Sequence, residues 1–218
     1  MTSGRPIRLA TLSLLSLLLP YLANAADIDA AALIGGLKRE LPARTAYTEV
    51  RFSHMYDHAL IARGELEYLG PGQLGKRVDS PYQETTTIVD GEVTLQRGKR
   101  KPRQISLERV PELEGFLRGF SALLGGDVAA VQRDFELTSS GDTSQWRLRL
   151  APRDPRLKKR IDAIEVDGSA DSARCFSILD ADDDASIMLV EGLATATLPE
   201  PLTRRKVESA CRGGVAAQ

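Results

Sequence analysis

Residues 45–68, TAYTEVRFSHMYDHALIARGELEY, decide the fold class of this chain. Val50 and Phe52 alternate with charged or polar neighbours, and a polar corner at residues 54–58 follows them. Beyond the corner, every second residue is again apolar or small: Leu60, Ala62, Gly64, Leu66 and Tyr68. A period of two around a polar corner predicts a long β-hairpin with one apolar face and one polar face.

The same period continues in short segments along the chain. These segments are residues 74–78, 84–89, 93–96, 104–107, 135–137, 146–150, 164–166, 176–179 and 187–190. Asp90-Gly91 is a tight-turn dipeptide between two of them. The sequence therefore predicts roughly nine to eleven strands.

Two segments have the helical period instead. The first follows Asp27 or Asp29, either of which is a suitable cap, and its apolar stripe runs over residues 30–41 until Pro42 ends it. The second covers residues 111–124 and has Pro111 in its first turn, with Gly125 and Gly126 after it. Many strands with two amphipathic helices predict an α+β protein, built on one curved antiparallel sheet with helices on a single face.

Composition excludes several classes of protein. The 218 residues are 42% hydrophobic, with 29 Lys plus Arg against 30 Asp plus Glu. A nucleic-acid-binding protein would need a clear surplus of cations, so nucleic acid is not an expected partner. Two Cys and two His argue against a disulfide-dense scaffold, a zinc ribbon or a haem-rich protein.

The N-terminus has the three parts of a secretory signal peptide. Arg5 and Arg8 precede an apolar run at residues 9–19, and Ala23-Asn24-Ala25 forms a cleavage site. We expect cleavage after Ala25, which leaves residues 26–218 as a single exported domain in the periplasm. An uncleaved membrane anchor is the alternative, although a run of about 11 apolar residues is too short to span a bilayer.

The predicted architecture leaves the concave face of the sheet poorly covered. Two modest helices cannot fill it, and a hydrophobic cleft of this kind suits lipid-like ligands. In the second helix, the apolar stripe can serve equally as core or as ligand contact. We expect the cleft to be lined by Val50, Phe52, Leu66, Tyr68, Leu74, Leu113, Phe116, Leu117, Phe120, Trp146 and Leu148.

Several short motifs follow one another along the chain in an order typical of one protein family. They are Ala46-Tyr47-Thr48-Glu49, Gly64-Glu65-Leu66, Pro71, Pro81, Asp90-Gly91 and Trp146-Arg147-Leu148. Together they resemble the LolA-like family of periplasmic outer-membrane lipoprotein carriers. The resemblance covers nearly all of residues 26–218 and depends on the order of many weak signals.

The resemblance implies both a fold and a function. The fold would be an incomplete β-barrel, LolA/LolB-like, closed by helices. The protein would be a monomeric carrier, with no catalytic residues and no cofactor. It would take the acyl chains of lipidated proteins, or a related lipid, from an inner-membrane donor to an outer-membrane acceptor. The alternative is a non-catalytic envelope scaffold or accessory module in a lipid or polyene pigment pathway.

The chain departs from the family pattern at two places. Gly70 stands where the family usually has an Arg that latches the helical lid, so the latch is either absent or relocated to Lys76 or Arg77. Cys175 and Cys211 are also unexpected. In an exported protein an even number of Cys favours a disulfide, which would tie the C-terminal tail to the sheet, over two buried thiols.

Charged clusters offer further candidate sites. Five cations occupy one predicted hairpin tip, where they would contact anionic headgroups or an acidic partner, or simply keep an edge turn soluble. They are Arg97, Lys99, Arg100, Lys101 and Arg103. A second basic run, Arg153, Arg156, Lys158, Lys159 and Arg160, has the same two interpretations.

Metal and catalytic sites receive little support. The acidic run 180–184 has carboxylates at calcium-loop spacing but Ala185 where such a loop needs Gly, so a hairpin turn is preferred. His54, Asp57 and His58 share one polar corner with no fourth ligand, and we expect no metal there. The sequence has no G-x-S-x-G elbow, which argues against a hydrolase.

Overall fold

The computed structural model describes residues 28–213, apart from the side chains of residues 111–113. The predicted signal peptide lies outside the described residues. Eleven strands form one antiparallel sheet in the order β6-β5-β4-β3-β2-β1-β11-β10-β9-β8-β7. The strands are β1 Ala43–Phe52, β2 Leu60–Gly70, β3 Gln73–Ser80, β4 Glu84–Val89, β5 Glu92–Arg97, β6 Arg103–Ser106, β7 Phe135–Gly141, β8 Trp146–Pro152, β9 Ile161–Ser169, β10 Ser172–Asp180 and β11 Ala185–Val190.

Within residues 28–213, five α-helices accompany the sheet. They are α1 Ala30–Gly36, α2 Pro111–Leu124, α3 Val128–Asp134, α4 Pro155–Lys158 and α5 Arg204–Cys211. Each of two further single turns, Leu107–Arg109 and Glu191–Leu193, is a 3₁₀-helix. None of the helices in residues 28–213 is both long and apolar enough to span a bilayer.

The predicted α+β class is confirmed, because one large antiparallel sheet carries a few helices. The sheet stays open, with β6 and β7 as its two edges. The helix predicted over residues 111–124 is confirmed as α2, which has Pro111 in its first turn and is followed by Gly125. The first predicted helix is too long by several residues, because α1 already ends at Gly36. Gly35 and Gly36 destabilise a continuing helix by about 1 kcal/mol each relative to Ala.

Helices cover both faces of the sheet, whereas the sequence predicted one covered face. α1, α2 and α3 pack on what we call the inner face, where Leu33, Ile34, Phe116, Leu123 and Val131 meet apolar strand residues. α5 packs on the opposite, outer face. The outer cluster consists of Val50, Cys175, Ile187, Leu189, Val207 and Cys211.

Strand register explains why one apolar face was the wrong expectation for β1. Glu49 pairs with Ala62 and Met188, while Val50 pairs with Ile61 and Ile187. Directly paired residues lie on the same face. Val50 is therefore on the outer face, and Glu49 is on the inner face together with Leu66 and Tyr68. Both faces of β1 are buried at its centre, so alternation alone does not identify the inner face.

The inner face is solidly packed over β7, β8 and β9. Gly119 of α2 faces the Phe135 ring so closely that an added Cβ would lie 2.2 Å from Cε2. The Trp146 indole lies over Gly168, where an added Cβ would be 2.1 Å from Cζ2, and it donates to Ala170 O at 2.8 Å. The Gly119–Phe135 contact holds α2 against this half of the sheet. The other half remains open beneath α2.

Candidate functional site: a cavity beneath α2

A cavity of about 660 Å³ lies between α2 and the inner face of the sheet. Its wall includes Thr86 and Ile88 on β4 and Ile164 on β9. These two strands are six intervals apart in the sheet order, about 29 Å in a flat sheet at ~4.8 Å per interval. The sheet must therefore curve around the cavity. Small-molecule sites typically have volumes of roughly 300–1,000 Å³.

Most of the cavity wall is apolar. Phe116 and Phe120 stack with centroids 6.4 Å apart, and Phe120 meets Phe176 edge to face at 5.7 Å. Further apolar lining comes from Leu37, Leu66, Tyr68, Leu74, Ile88, Leu117, Leu124, Ile164, Ile178, Met188 and Val190. The ring contacts tie α2 to β10, while the strands β1 to β4 leave room beneath the helix.

A charged cluster interrupts the apolar wall on β1, β3 and β11. Glu49 is only 5% exposed. Its Oε2 accepts from Lys76 Nζ at 2.6 Å, and its Oε1 accepts from Ser186 Oγ at 2.5 Å and from an Arg51 guanidinium N–H at 3.0 Å. Lys76 Nζ also lies 5.2 Å from the Tyr47 ring centroid. All four side chains of this group, Glu49, Arg51, Lys76 and Ser186, line the cavity.

The cluster is charged despite its burial. Burial by itself would raise the pKa of Glu49, but the charge and hydrogen bond of Lys76, the Ser186 hydroxyl and Arg51 together lower that pKa. Burial, and then the negative charge of Glu49, raises the pKa of Tyr47, so this phenol stays neutral. The cavity thus holds one buried carboxylate compensated by two cations.

Loops at one end of the sheet border the cavity. Ser53 and Tyr56, from the β1–β2 loop, and Asp184, from the β10–β11 turn, line both this cavity and an adjoining second cavity. His54 Nδ1 lies 2.8 Å from Asp184 Oδ1. The Ser53 hydroxyl, the His54 N–H and the His54 ring lower the pKa of Asp184 to about 2, and the Asp184 hydrogen bond and charge raise the pKa of His54. The pair joins the two loops.

The structure brings most of the predicted lining residues together. Leu66, Tyr68, Leu74, Phe116, Leu117 and Phe120 border the cavity. Phe52 borders it too, at the end of β1, although it lies on the same face as Val50 and also packs against the outer cluster. Val50 does not border the cavity, because it lies on the outer face against α5. Trp146 and Leu148 do not either, because both are buried in the packed half of the inner face. The Leu113 side chain lies outside the described residues.

Of the two alternatives for the lid latch, absent or relocated, the structure gives no support to relocation, because neither Lys76 nor Arg77 has a hydrogen bond or ion pair to a described side chain of α2. Lys76 binds Glu49, and Arg77 pairs with Asp79 and Glu65 on the strands. Instead, Ser121 Oγ in α2 accepts from the Gly72 N–H of the β2–β3 turn at 3.0 Å. A neutral hydrogen bond therefore joins the helix to the turn that follows Gly70.

The remaining charged and sulfur-containing candidates are also placed. The predicted disulfide is confirmed between Cys175 and Cys211, with a Cα–Cα distance of 5.6 Å.

The cations of the 97–103 run are exposed around the β5–β6 turn, and Arg97 stacks on Tyr82 with its guanidinium 4.4 Å from the ring centroid. Residues 181–184 form the β10–β11 hairpin turn. Within residues 28–213, no three His, Cys, Asp or Glu side chains are grouped for a metal ion.

Sequence reasoning missed the charged cluster, which is the most distinctive part of the cavity. Glu49 and Arg51 alternate with Val50 and Phe52 and therefore have the pattern of a solvated face. Ser186 and Lys76 reach Glu49 only through the strand register. No local motif indicates that Glu49, Arg51, Lys76 and Ser186 are in contact, so the cluster is visible only in the folded structure.

Comparison with known proteins gives one family match. The sequence model of the family described as outer membrane lipoprotein carrier protein LolA-like matches residues 22–212. No curated protein matches.

Among solved structures, similar chains are only distantly related in sequence. A LolA superfamily protein from Nitrosomonas europaea is 11% identical, covers 82% of this chain and 99% of its own, and has a TM-score of 0.41. LprF from Mycobacterium bovis is 12% identical over 80% and 97% of the two chains, with a TM-score of 0.34. A chain of the MucA/MucB complex of Pseudomonas aeruginosa is 13% identical; the match covers 78% of this chain and 59% of that one, with a TM-score of 0.40.

Proposed function

The chain belongs to the LolA-like outer membrane lipoprotein carrier family, and from this membership we propose that it is a periplasmic carrier of acyl chains. The cargo is a lipidated protein or a related lipid, whose chains lie in the cavity beneath α2. Transfer runs from an inner-membrane donor to an outer-membrane acceptor. No catalytic step is part of the proposal, and the working form is a monomer.

The open cavity of about 660 Å³ is the observation that carries this proposal. A palmitoyl chain in water costs about 12 kcal/mol at ~0.8 kcal/mol per methylene, so acyl chains need a protein host to cross an aqueous compartment. The apolar lining supplies that host. A scaffold in a lipid or polyene pigment pathway is the competing function, and it would have no need to keep this space unfilled.

Export to the periplasm is part of the same proposal. Cleavage after Ala25 would release a chain beginning at residue 26, as the N-terminal pattern indicates. The Cys175–Cys211 disulfide supports an oxidising compartment, because cytosolic thiols are normally kept reduced. The donor and the acceptor are proposed to be proteins that the carrier contacts in turn.

Mass spectrometry of lipids that co-purify with the protein tests the carrier function. We expect organic extracts of protein purified from periplasm without detergent to contain acyl lipids at close to one cargo molecule per chain. The matched control is an unrelated periplasmic protein purified identically. Extracts that contain no more lipid than the control, together with no binding of added acyl probes, would contradict the carrier function.

The β5–β6 turn is proposed as a contact with anionic membranes. In the antiparallel order, this turn lies at the same end of the sheet as the β1–β2 loop, where Met55 and Tyr56 are 73% and 54% exposed and Tyr56 borders the cavity. Cations near an anionic bilayer contribute about 1 kcal/mol each. The arrangement would place this end of the cavity towards the membrane.

Charge removal at this turn should weaken vesicle binding. The double substitution Lys99→Gln with Arg100→Gln removes two exposed cations, so we expect about thirtyfold weaker binding to anionic vesicles at low salt. Vesicle sedimentation measures this. Lys38→Gln with Arg109→Gln, two exposed cations at the other end of the sheet, is the matched control. An equal loss of vesicle binding in the two double variants would contradict the proposed membrane contact.

A further inference from the structure

In the charged cluster of the cavity, the cations have unoccupied hydrogen-bond donors, whereas most acceptor positions of the carboxylate are occupied. Glu49 is 5% exposed and already accepts from Ser186, Arg51 and Lys76. A carboxylate offers about four acceptor positions. Glu49 therefore has little capacity left for a ligand, and its main effect is to compensate the two cations.

Lys76 and Arg51, unlike Glu49, have hydrogen-bonding capacity left for a ligand. Among the described residues, the hydrogen bonds of Lys76 and Arg51 both go to Glu49. An ammonium has three N–H donors and a guanidinium has five. The Lys76 side chain is 32% exposed and that of Arg51 is 54% exposed, and both border the cavity. Their remaining N–H groups are available to an acceptor that enters the cavity.

The position of the cations fits an amphiphile. Leu74 and Lys76 lie on the same face of β3, two residues apart, or about 7 Å along the strand. Leu74 belongs to the apolar wall opposite Phe116, Leu117 and Phe120. One ligand can therefore place its chain beneath α2 and its head beside Lys76.

The charge balance within the cluster favours an anionic head. Two cations face one carboxylate within the cluster. Asp180 and Asp184 also border the cavity, and Asp184 is held by His54 and Ser53. Burial, and then the charge of Asp184, raises the pKa of Asp180, whereas the charge of Arg51 lowers it, so Arg51 also lies within electrostatic reach of Asp180. Hydrogen bonds from cations to phosphate or carboxylate oxygens are about twice as strong as neutral ones.

We propose that Lys76 and Arg51 bind the anionic head, phosphate or carboxylate, of the acyl ligand while its chain lies beneath α2. This inference rests on the proposed carrier function. It assigns the ligand class as acyl amphiphiles with an anionic head, and it makes Glu49 a competing internal anion that holds the cations in place until the ligand arrives.

Three probes with the same chain test the assignment. Palmitate carries a carboxylate head, palmitoyl lysophosphatidate carries a phosphate head and hexadecanol is neutral. We expect at least one anionic probe to displace a bound fluorescent fatty acid at concentrations about tenfold lower than hexadecanol. Tighter binding of palmitate would identify the natural head as a carboxylate, and tighter binding of lysophosphatidate would identify it as a phosphate. Similar affinities for both would mean that the site recognises an anionic head of either kind.

Two substitutions should change this preference in opposite directions. Lys76→Met removes a cation, so the anionic probes should lose about tenfold in affinity while hexadecanol is unchanged. Glu49→Gln removes the internal anion, so the anionic probes should bind more tightly. Lys159→Met, an exposed lysine outside the cavity, is the matched control. Opposite signs cannot arise from general damage to the fold, and circular dichroism checks folding.

The outcomes separate the two proposals. Equal affinity of all three probes, unchanged by Lys76→Met and Glu49→Gln, overturns the anionic-head assignment and leaves the carrier function standing. No displacement by any of the probes overturns the carrier function itself, and the head assignment falls with it.

Discussion

Leu74→Trp should weaken acyl binding by about 100-fold. Leu74 projects from β3 into the cavity beneath α2. The larger indole would displace about four methylenes of ligand, each worth ~0.8 kcal/mol of burial, or about 3 kcal/mol in total. Displacement titration of a fluorescent fatty acid measures the change.

The control for this variant is Leu69→Trp. Leu69 is 42% exposed, lies on the neighbouring strand β2 and does not border the cavity. We expect wild-type binding from it. Similar affinities for Leu74→Trp and Leu69→Trp, in folded proteins, would mean that acyl chains do not occupy this cavity.

Reduction of the Cys175–Cys211 disulfide should lower the free energy of unfolding by about 3 to 4 kcal/mol. The cysteines are 36 residues apart, and opening a loop of that length restores roughly this much chain entropy to the unfolded state. α5 depends on the bond, because Val207 and Cys211 are its only buried residues. For a chain of this size, the loss corresponds to a fall in melting temperature of about 6 to 16 °C.

Thermal melts with and without reductant measure this effect. Alkylation followed by mass measurement establishes that both thiols are reduced. The double variant Cys175→Ala with Cys211→Ala should melt at one temperature in either buffer. An unchanged midpoint for the fully reduced wild-type protein would show that the bond contributes nothing to stability.

The sequence predicts those elements whose signals are local. Residues 111–124 combine Pro111, an apolar stripe and Gly125, and α2 has these bounds. The strand segments are each recovered to within a few residues, because turns such as Asp90-Gly91 separate them clearly. The curved sheet and its open half follow from the scarcity of covering helices.

Features that depend on both faces of the sheet could not be predicted. Val50 has the pattern of an inner-face residue but packs against α5, because β1 is central and is covered on both sides. α5 has six polar or small residues, and no helix was predicted for this segment from the sequence. The predicted Cys175–Cys211 disulfide places this segment against the sheet, but only the structure shows which face it covers.

The charged cluster is the clearest case of tertiary structure overriding a local pattern. Glu49 has the sequence context of a solvent-exposed residue, yet it is 5% exposed. A buried carboxylate is tolerated only where other groups compensate it. Here the compensation comes from Lys76 and Ser186, which are 27 and 137 residues distant along the chain.

Methionine methyl NMR tests the central claim most directly, because two methionines report on the two environments. Met188 is 8% exposed and borders the cavity, whereas Met55 is 73% exposed in the β1–β2 loop and does not border it. With ¹³C-methyl methionine, added palmitate should shift the Met188 signal in a saturable manner and give cross-peaks between the Met188 methyl and the acyl chain. Saturating palmitate that leaves Met188 unchanged would contradict the claim that the cavity beneath α2 holds acyl chains.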